Sequence, residues 1–361
     1  MSKKNAKPIP TEPAPAAQPD DAMRLKACLV GLESVQQDWL TAIARAADTG
    51  LIEVTAAGHS SVAEARDLAD HFGAPFYDDL RRMMLTHSPQ IIILDRPPEL
   101  GLDFIEACLQ QQIGILSLGP VVSNLTEARQ IAAMLKPKTH LLLNWPLALE
   151  GWAFKQCLQT QEYFLDVSLL TAGFFAINHA IAKSRQQAGA ESVVRSMSVL
   201  AWDAMRTIIE LLGLPASVYA CIDGSVGEGD RFHDATGSAA ATLRFADGGA
   251  CGLAISDRET PARRELLVQS RAGSVRMTDF SYRICDASGK LIEEDTRTPI
   301  PPAEQCLTAL QDFCRGFTAP PSPHRGWNHL LVETSAAMVA MLISNRTGAA
   351  ESPQRLIDLR A

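Results

Sequence analysis

The sequence predicts an α/β protein: an N-terminal Rossmann-like doubly wound parallel sheet, then a C-terminal α+β domain with a mostly antiparallel open sheet. Three observations predict it. From residue 25 to about 145, short apolar runs alternate with amphipathic stretches, the pattern of βαβ units. After about residue 146 the rhythm changes to long helical stretches followed by short strand-like runs with Gly-rich joints, as in antiparallel sheets. Finally, 361 residues at 47% apolar composition exceed what one core usually organises, so two packed domains are expected. The expected division is a disordered tail over 1–23, a nucleotide-binding-type domain over 24–146, and a substrate- or dimerisation-type domain over 147–361.

In the first domain, strands are expected at Leu25–Val30, Ile52–Ala57, Ile91–Leu94, Ile113–Ser117 and His140–Asn144. Helices are expected over 35–48, 60–72, 78–86, 101–111 and 123–135. The second helix has Ser60 or Ser61 as N-cap, Glu64 placed to complete a capping box, and Gly73 as a C-cap. In the second domain, 147–164 and 192–213 read as helices, the latter stopped by Gly213 and Pro215. Strands follow at Ser217–Ile222, Ala239–Phe245, Ala250–Ser256, Glu265–Gln269, Ser274–Thr278 and Ser281–Asp286, and a final helix over about 327–345 closes the chain.

Composition narrows the function classes. A formal charge of −8 and a pI near 5.5 disfavour nucleic acid, whose partners generally present a basic face. Apolar stretches such as Ile91–Leu94 fall far short of the roughly 20 residues of a membrane span. The eight cysteines are scattered without a CxxC pair, which fits reduced thiols in a cytoplasm. The opening "MSKKNAKPIPTEPAPAAQPDD" lacks the apolar core of a secretion signal. A small molecule or another protein is the expected partner.

The order of several phrases resembles the Gfo/Idh/MocA family over about residues 25–348. "VGLESVQQDWL…FGAPFYDD" looks like its first βαβ unit, and "IIILDRPPEL…ILSLGP" like its strand–double-proline–helix–strand passage ending in "EKP". "ATLRFADGGACGLAIS" is similar to a strand pair of its second domain. The resemblance implies an NAD(P)-dependent oxidoreductase acting on sugars, inositols or related hydroxyl compounds. It also implies cofactor contacts from Gly31, Gly58, His59, Ser60, Pro97, Pro98 and Pro120, and pairing of subunits through the open sheet of the second domain. Asn144 and Trp145 end the fifth expected strand at the domain junction, where open α/β sheets bind ligands, and are candidate pocket residues.

Four departures fall on the machinery that the family implies. In a GxGxxG turn the second glycine lets the backbone approach a pyrophosphate; Glu33 and Gln36 stand in place of the second and third glycines. Two like charges about 4 Å apart at an effective dielectric near 20 repel by roughly 4 kcal/mol, so Glu33 either opposes a diphosphate or serves as a first-turn helix acid. The second strand ends in Gly58 and His59 instead of a ribose-binding acid. His59, Ser60 and Ser61 read either as ribose or phosphate donors or as a loop histidine and helix cap. Leu118 and Gly119 replace the charged pair of "EKP", so the family's lysine beside the nicotinamide is lost.

The family's D-x-x-x-H helix also lacks its histidine. Fitted without gaps to "LLG" at 211–213, it places Val199 and Asp203 at the two positions; fitted on Asp203 as a later family aspartate, it places Ser196 and Leu200 there, and neither fit yields a histidine. Asp203 and His233 are the remaining candidates for moving a proton. His329 and Glu333 share a helix face near His324, a spacing that can hold a metal, but no third ligand is near in sequence and no metal is expected. The arginines 258, 263, 264, 271 and 276 fit an exposed strand face with acidic partners, or an anion-binding one. Two functions are thus expected to compete: a family-fold protein with lost or altered hydride chemistry that binds, regulates or assembles, and an oxidoreductase with a non-standard NAD(P) site.

Overall fold

The structure, a computed structural model, describes residues 24–32, 37–59, 61–95, 101–135, 141–142, 174–180, 197–226, 229, 231–232, 235–256, 263–278, 280–318 and 330–359. The tail over 1–23 and the helix expected over 147–164 lie outside the described residues.

The first sheet has six parallel strands in the order β3 (Phe76–Tyr77), β2 (Ile52–Gly58), β1 (Leu25–Val30), β4 (Ile91–Leu94), β5 (Gly114–Ser117) and β6 (Leu141–Leu142). Its connecting helices are α1 (Gln37–Asp48), α2 (Val62–Phe72), α3 (Leu80–His87), α4 (Leu102–Gln110) and α5 (Leu125–Met134). Strands buried on both faces read as continuous apolar runs, and the two-residue period sorts their side chains into two layers. Ala27, Leu29, Ile91, Ile93 and Leu116 join Leu40 and Ile43 of α1 and Leu68 of α2. Cys28, Val30, Ile92, Leu94 and Ile115 join Met83 and Met84 of α3, Ile105 and Cys108 of α4, and Ile131 of α5.

Gly73 ends α2 in the left-handed region at φ 63°, as expected of a C-cap. The expected capping box does not form. Ser61 is the N-cap, but its side chain makes no capping bond. The N–H that a box acid would accept goes instead to His59 Nδ1 at 2.9 Å, and Glu64 lies against the same nitrogen at 3.1 Å.

The second sheet has eight strands in the order β14 (Leu291–Thr296), β13 (Ser281–Asp286), β12 (Gly273–Thr278), β11 (Arg263–Ser270), β7 (Phe174–Ala180), β10 (Ala250–Ser256), β9 (Ser238–Arg244) and β8 (Ser217–Asp223). Only β7 and β10 pair in parallel. Alternation is clear in β9, where Ala239, Ala241 and Leu243 are buried while Ala240, Thr242 and Arg244 are exposed. The β14 edge is exposed at all six residues, and a register shift at Ile284/Cys285 leaves Ile292 unpaired within it. A bulge together with Glu293, Glu294 and Asp295 blunts that edge against unwanted pairing.

Between the sheets lie α6 (Met197–Leu212) and α8 (Leu330–Thr347). Both are buried on nearly every side, α6 with the polar Asp203, Arg206 and Thr207 among its buried residues. Their residues join α5 and the inner face of the second sheet in one continuous core. Five elements had no counterpart among the sequence expectations: β3, β7, β14, α7 (Pro302–Thr318) and α9 (Pro353–Leu359). The final helix therefore does not close the chain; α9 follows α8. Although α7 lies far downstream, it covers the α1 face of the first sheet, with Leu310 and Phe313 in that core and Glu304 paired to Arg45. A Cβ on Gly114 would stand 2.9 Å from the Phe317 ring, so β5 needs glycine there for α7 to lie flat.

Candidate functional site

The strand order reverses between β1 and β4, and ligands of open α/β sheets bind at such switch points beyond the strands' carboxyl ends. Three chain exits lie side by side there. Gly31 N–H donates to Gly58 O at 3.0 Å, Asp95 N–H to Val30 O at 3.0 Å, and Leu118 N–H to Leu94 O at 2.8 Å. Gly31 is held at φ 66°, and a Cβ on it would stand 2.8 Å from the Asp95 carbonyl oxygen. The glycine is therefore dictated by its neighbour in the sheet as well as by its backbone angle, whether or not a nucleotide is bound.

Gly58 is constrained more softly, since a Cβ would meet the side-chain ends of Leu80 at 2.4 Å and Met83 at 3.0 Å. His59 is turned inward and 5% exposed. Its N–H donates to Tyr77 O at 3.2 Å, and its Nδ1 faces both Ser61 N–H and Glu64. A single ring nitrogen cannot accept from one and donate to the other at once, so the tautomer decides which contact is a hydrogen bond.

At the end of β5, the Ser117 hydroxyl donates to Gly119 O, and Gly119 N–H points back at it at 3.4 Å. Gly119 and Pro120 are buried. A side chain built on Gly119 would start 3.8 Å from Asp95 Oδ1. The position of the family's lysine is thus a bare backbone with a carboxylate beside it. Asp95 was not among the sequence candidates; its place as the first residue beyond β4, at the switch point, is the signal that singles it out.

Beyond Pro120, Asn124 caps α5 by accepting Glu127 N–H at 2.9 Å, and buried Ser123 donates to both Glu127 carboxylate oxygens at 2.8 Å. Ser123 O accepts Phe232 N–H at 2.9 Å, and Ala235 O accepts Ser198 N–H at 3.2 Å. The chain on both sides of His233 is thereby anchored, one end to the β5–α5 loop and the other to the first turn of α6. His233 itself lies outside the described residues, as do Glu33, Ser60, Pro97, Pro98, Asn144, Trp145, Arg258, His324 and His329.

Asp203 sits in the second turn of α6, which stops at Leu212 with Gly213 at φ 81°. Its side chain is 5% exposed and lies 3.8 Å from the Arg206 guanidinium, itself 2% exposed. Trp202 beside it stacks on Phe232 with ring centroids 5.3 Å apart. The two charges lie one helical turn apart on the buried face of α6. Arg276 pairs with Glu265 across β11 and β12 at 2.7 Å, with its side chain more than half exposed, the ordinary strand-face contact.

Among the described residues no three His, Cys, Asp or Glu side chains are grouped to hold a metal. Among the described residues burial pushes the Cys108, Cys251 and Cys314 thiols up to about 12. No described helix is long and apolar enough to cross a membrane.

The residues present keep the crevice of a dinucleotide fold and lose its charges. Where the ribose would meet an acid stand Gly58 and an inward His59. Where a cation would stand beside the nicotinamide are Gly119 and Asp95. Among the described residues, neither the ribose acid nor the lysine that the family resemblance implies is present.

Residues 25–144 match the model of the Gfo/Idh/MocA oxidoreductases, described as an oxidoreductase family with an NAD-binding Rossmann fold. No curated protein matches the sequence. Among solved structures, a levoglucosan dehydrogenase in complex with NADH and levoglucosan aligns over 91% of this chain and 99% of its own, with TM-score 0.70 and 13% identity. An oxidoreductase from Agrobacterium radiobacter in complex with NAD+, L-tartaric acid and magnesium aligns over 92% and 100%, with TM-score 0.68 and 12% identity. The UDP-N-acetylglucosamine 3-dehydrogenase GnnA from Acidithiobacillus ferrooxidans aligns over 90% and 98%, with TM-score 0.65 and 13% identity. At such identities these likenesses show the fold alone: residues 25–144 match the Gfo/Idh/MocA model, and the chain as a whole carries the two-domain fold of the dehydrogenases it aligns with.

Proposed function

We propose that this protein uses the Gfo/Idh/MocA oxidoreductase fold with lost or much altered NAD(P)-dependent hydride transfer, and serves in binding, regulation or assembly. The observation that carries the reading is the pairing of Gly119 with Asp95. A cation that orients a substrate hydroxyl or shuttles its proton has been exchanged for no side chain at all, next to a carboxylate. The buried Asp203–Arg206 pair supports the same reading, since either fit of the family's helix sets a residue other than histidine, Asp203 or Leu200, at the catalytic position. Partners are a small molecule, a second copy or a paralogue, with the outer face of the second sheet as the pairing surface.

The competing reading, an active oxidoreductase on a sugar, inositol or related hydroxyl compound, is favoured by the shared fold of cofactor-bound relatives. The levoglucosan dehydrogenase of the same fold was solved with NADH. Purified full-length protein separates the two. A ligand at a hundred times its Kd adds about 2.7 kcal/mol of stability. The proposal expects neither NADH nor NADPH at millimolar concentration to move Tm or enhance NADH fluorescence, and no turnover on a panel of polyols and sugars. A Tm rise of several degrees with matching fluorescence, together with turnover, sinks it. Glu33→Gly adds a second arm: tighter cofactor binding would mark Glu33 as the obstacle.

A further inference from the structure

We propose that residues 344–359 form a tie that fixes the two sheets in one relative orientation. The argument starts at β8, which lies at one edge of the second sheet. An edge strand leaves a row of N–H groups without strand partners. Here the row is satisfied within the chain. Val218 N–H donates to Glu351 O at 2.8 Å, Ala220 N–H to Ser344 Oγ at 2.9 Å, and Ile222 N–H to Asn345 Oδ1 at 2.7 Å. Glu351 N–H returns a bond to Val218 O at 2.9 Å, completing an antiparallel bridge.

The approach to that bridge is a tight turn. Gly348 ends α8 at φ 67° with its N–H on Ser344 O, and Thr347 Oγ1 donates to Glu351 Oε1 at 3.2 Å. The chain then enters α9, and Leu356 and Ile357 pack against the core shared by the two sheets. The last carbonyls of a helix have no donors within it. Arg129 of α5 supplies them, donating to Leu356 O at 3.4 Å and to Ile357 O. A cation at this end is also favoured by the helix dipole.

One short segment is thus bonded to the edge strand of the second sheet at Glu351 and to a helix of the first sheet at Leu356 and Ile357. The residues between are largely helical, rise only about 1.5 Å each, and carry no slack. Opening or closing the crevice by rotating one sheet against the other breaks the bridge, the Arg129 contacts, or both. The tie makes the protein a platform of fixed geometry, independently of whether a cofactor binds.

Amide hydrogen exchange on the full-length protein tests it. Arg129→Ala removes the first-sheet anchor and touches nothing in β8. Loss of a charge-assisted hydrogen bond is expected to speed exchange about tenfold in α9 and, through the tie, at the Val218 and Glu351 amides as well. Arg129→Lys, which keeps the cation, recovers part of the protection. If α9 speeds up while Val218 and Glu351 hold their wild-type rates, Arg129 only caps a helix and the tie is refuted. A chain ending at Gly348 gives a second readout by small-angle scattering. Its radius of gyration should rise despite the lost residues, and an unchanged or smaller value overturns the proposal.

Discussion

Replacing Gly31 with alanine isolates what that glycine does. Two costs are readable from the structure. A non-glycine residue in the left-handed region costs about 1–2 kcal/mol. The added methyl would also stand 2.8 Å from the Asp95 carbonyl oxygen, a backbone atom that cannot rotate away, and forcing such an overlap costs about 1–3 kcal/mol more. The sum is about 2–5 kcal/mol. Gly73 provides the control, with φ 63° and nothing within 4 Å of its would-be Cβ, so only the first cost applies. Urea denaturation of Gly31→Ala and Gly73→Ala in parallel should give a difference of about 1–3 kcal/mol. Equal destabilisation of the two variants would refute the steric argument and return Gly31 to the role of a nucleotide-approach residue.

Further outcomes follow from the same geometry. Asp203→Ala leaves Arg206 buried beside a lost partner and should cost about 3–5 kcal/mol, with Arg206→Met added in the same chain recovering much of it. A neutral effect on stability combined with loss of hydride transfer would instead make Asp203 catalytic. In the native protein a thiol reagent followed by peptide mapping should label exposed Cys221 first, and Cys108, Cys251 and Cys314 only on unfolding, because the thiolate is the reactive form. Tyr282 donates to Glu293, and that bond, aided by burial and by the neighbouring carboxylates, pushes its phenol up to about 12. A raised pKa means the contact contributes fully below pH about 10 and is lost as pH rises toward 12. An ultraviolet titration should show one late phenol that Tyr282→Phe removes.

Much of the fold could be read before the structure because the determining signals were local. Ile91–Leu94 is four consecutive apolar residues, and both faces of β4 are indeed buried. Gly73 and Gly213 stop their helices where expected, since a left-handed cap favours glycine regardless of surroundings. The central strand β7 escaped because "FFAINHA" has no clean alternation; its two partners, β10 and β11, lie more than 70 residues downstream. By contrast α7 carried a legible pattern, with Pro302 at its first position and apolar residues at 306, 307, 310, 313, 314 and 317. At the crevice, the missing lysine was visible in "SLGP", whereas the carboxylate beside it was not. Asp95 and Gly119 end different strands, and only the pairing of β4 with β5 brings them together.

The return of α7 to the first sheet has a consequence for synthesis. The N-terminal strands leave the ribosome early, yet the layer formed by Ala27, Leu29, Ile91, Ile93 and Leu116 lacks its Leu310 and Phe313 cover until residues near 318 have emerged. Nascent chains expose such unfinished faces while elongation proceeds at about 5–20 residues per second. The roughly 170 residues between the end of β6 and the end of α7 thus correspond to an interval of about 10–35 seconds during which an apolar surface is open to chaperones or to misassociation. Release of a chain stopped short of α7 would leave that surface exposed for good.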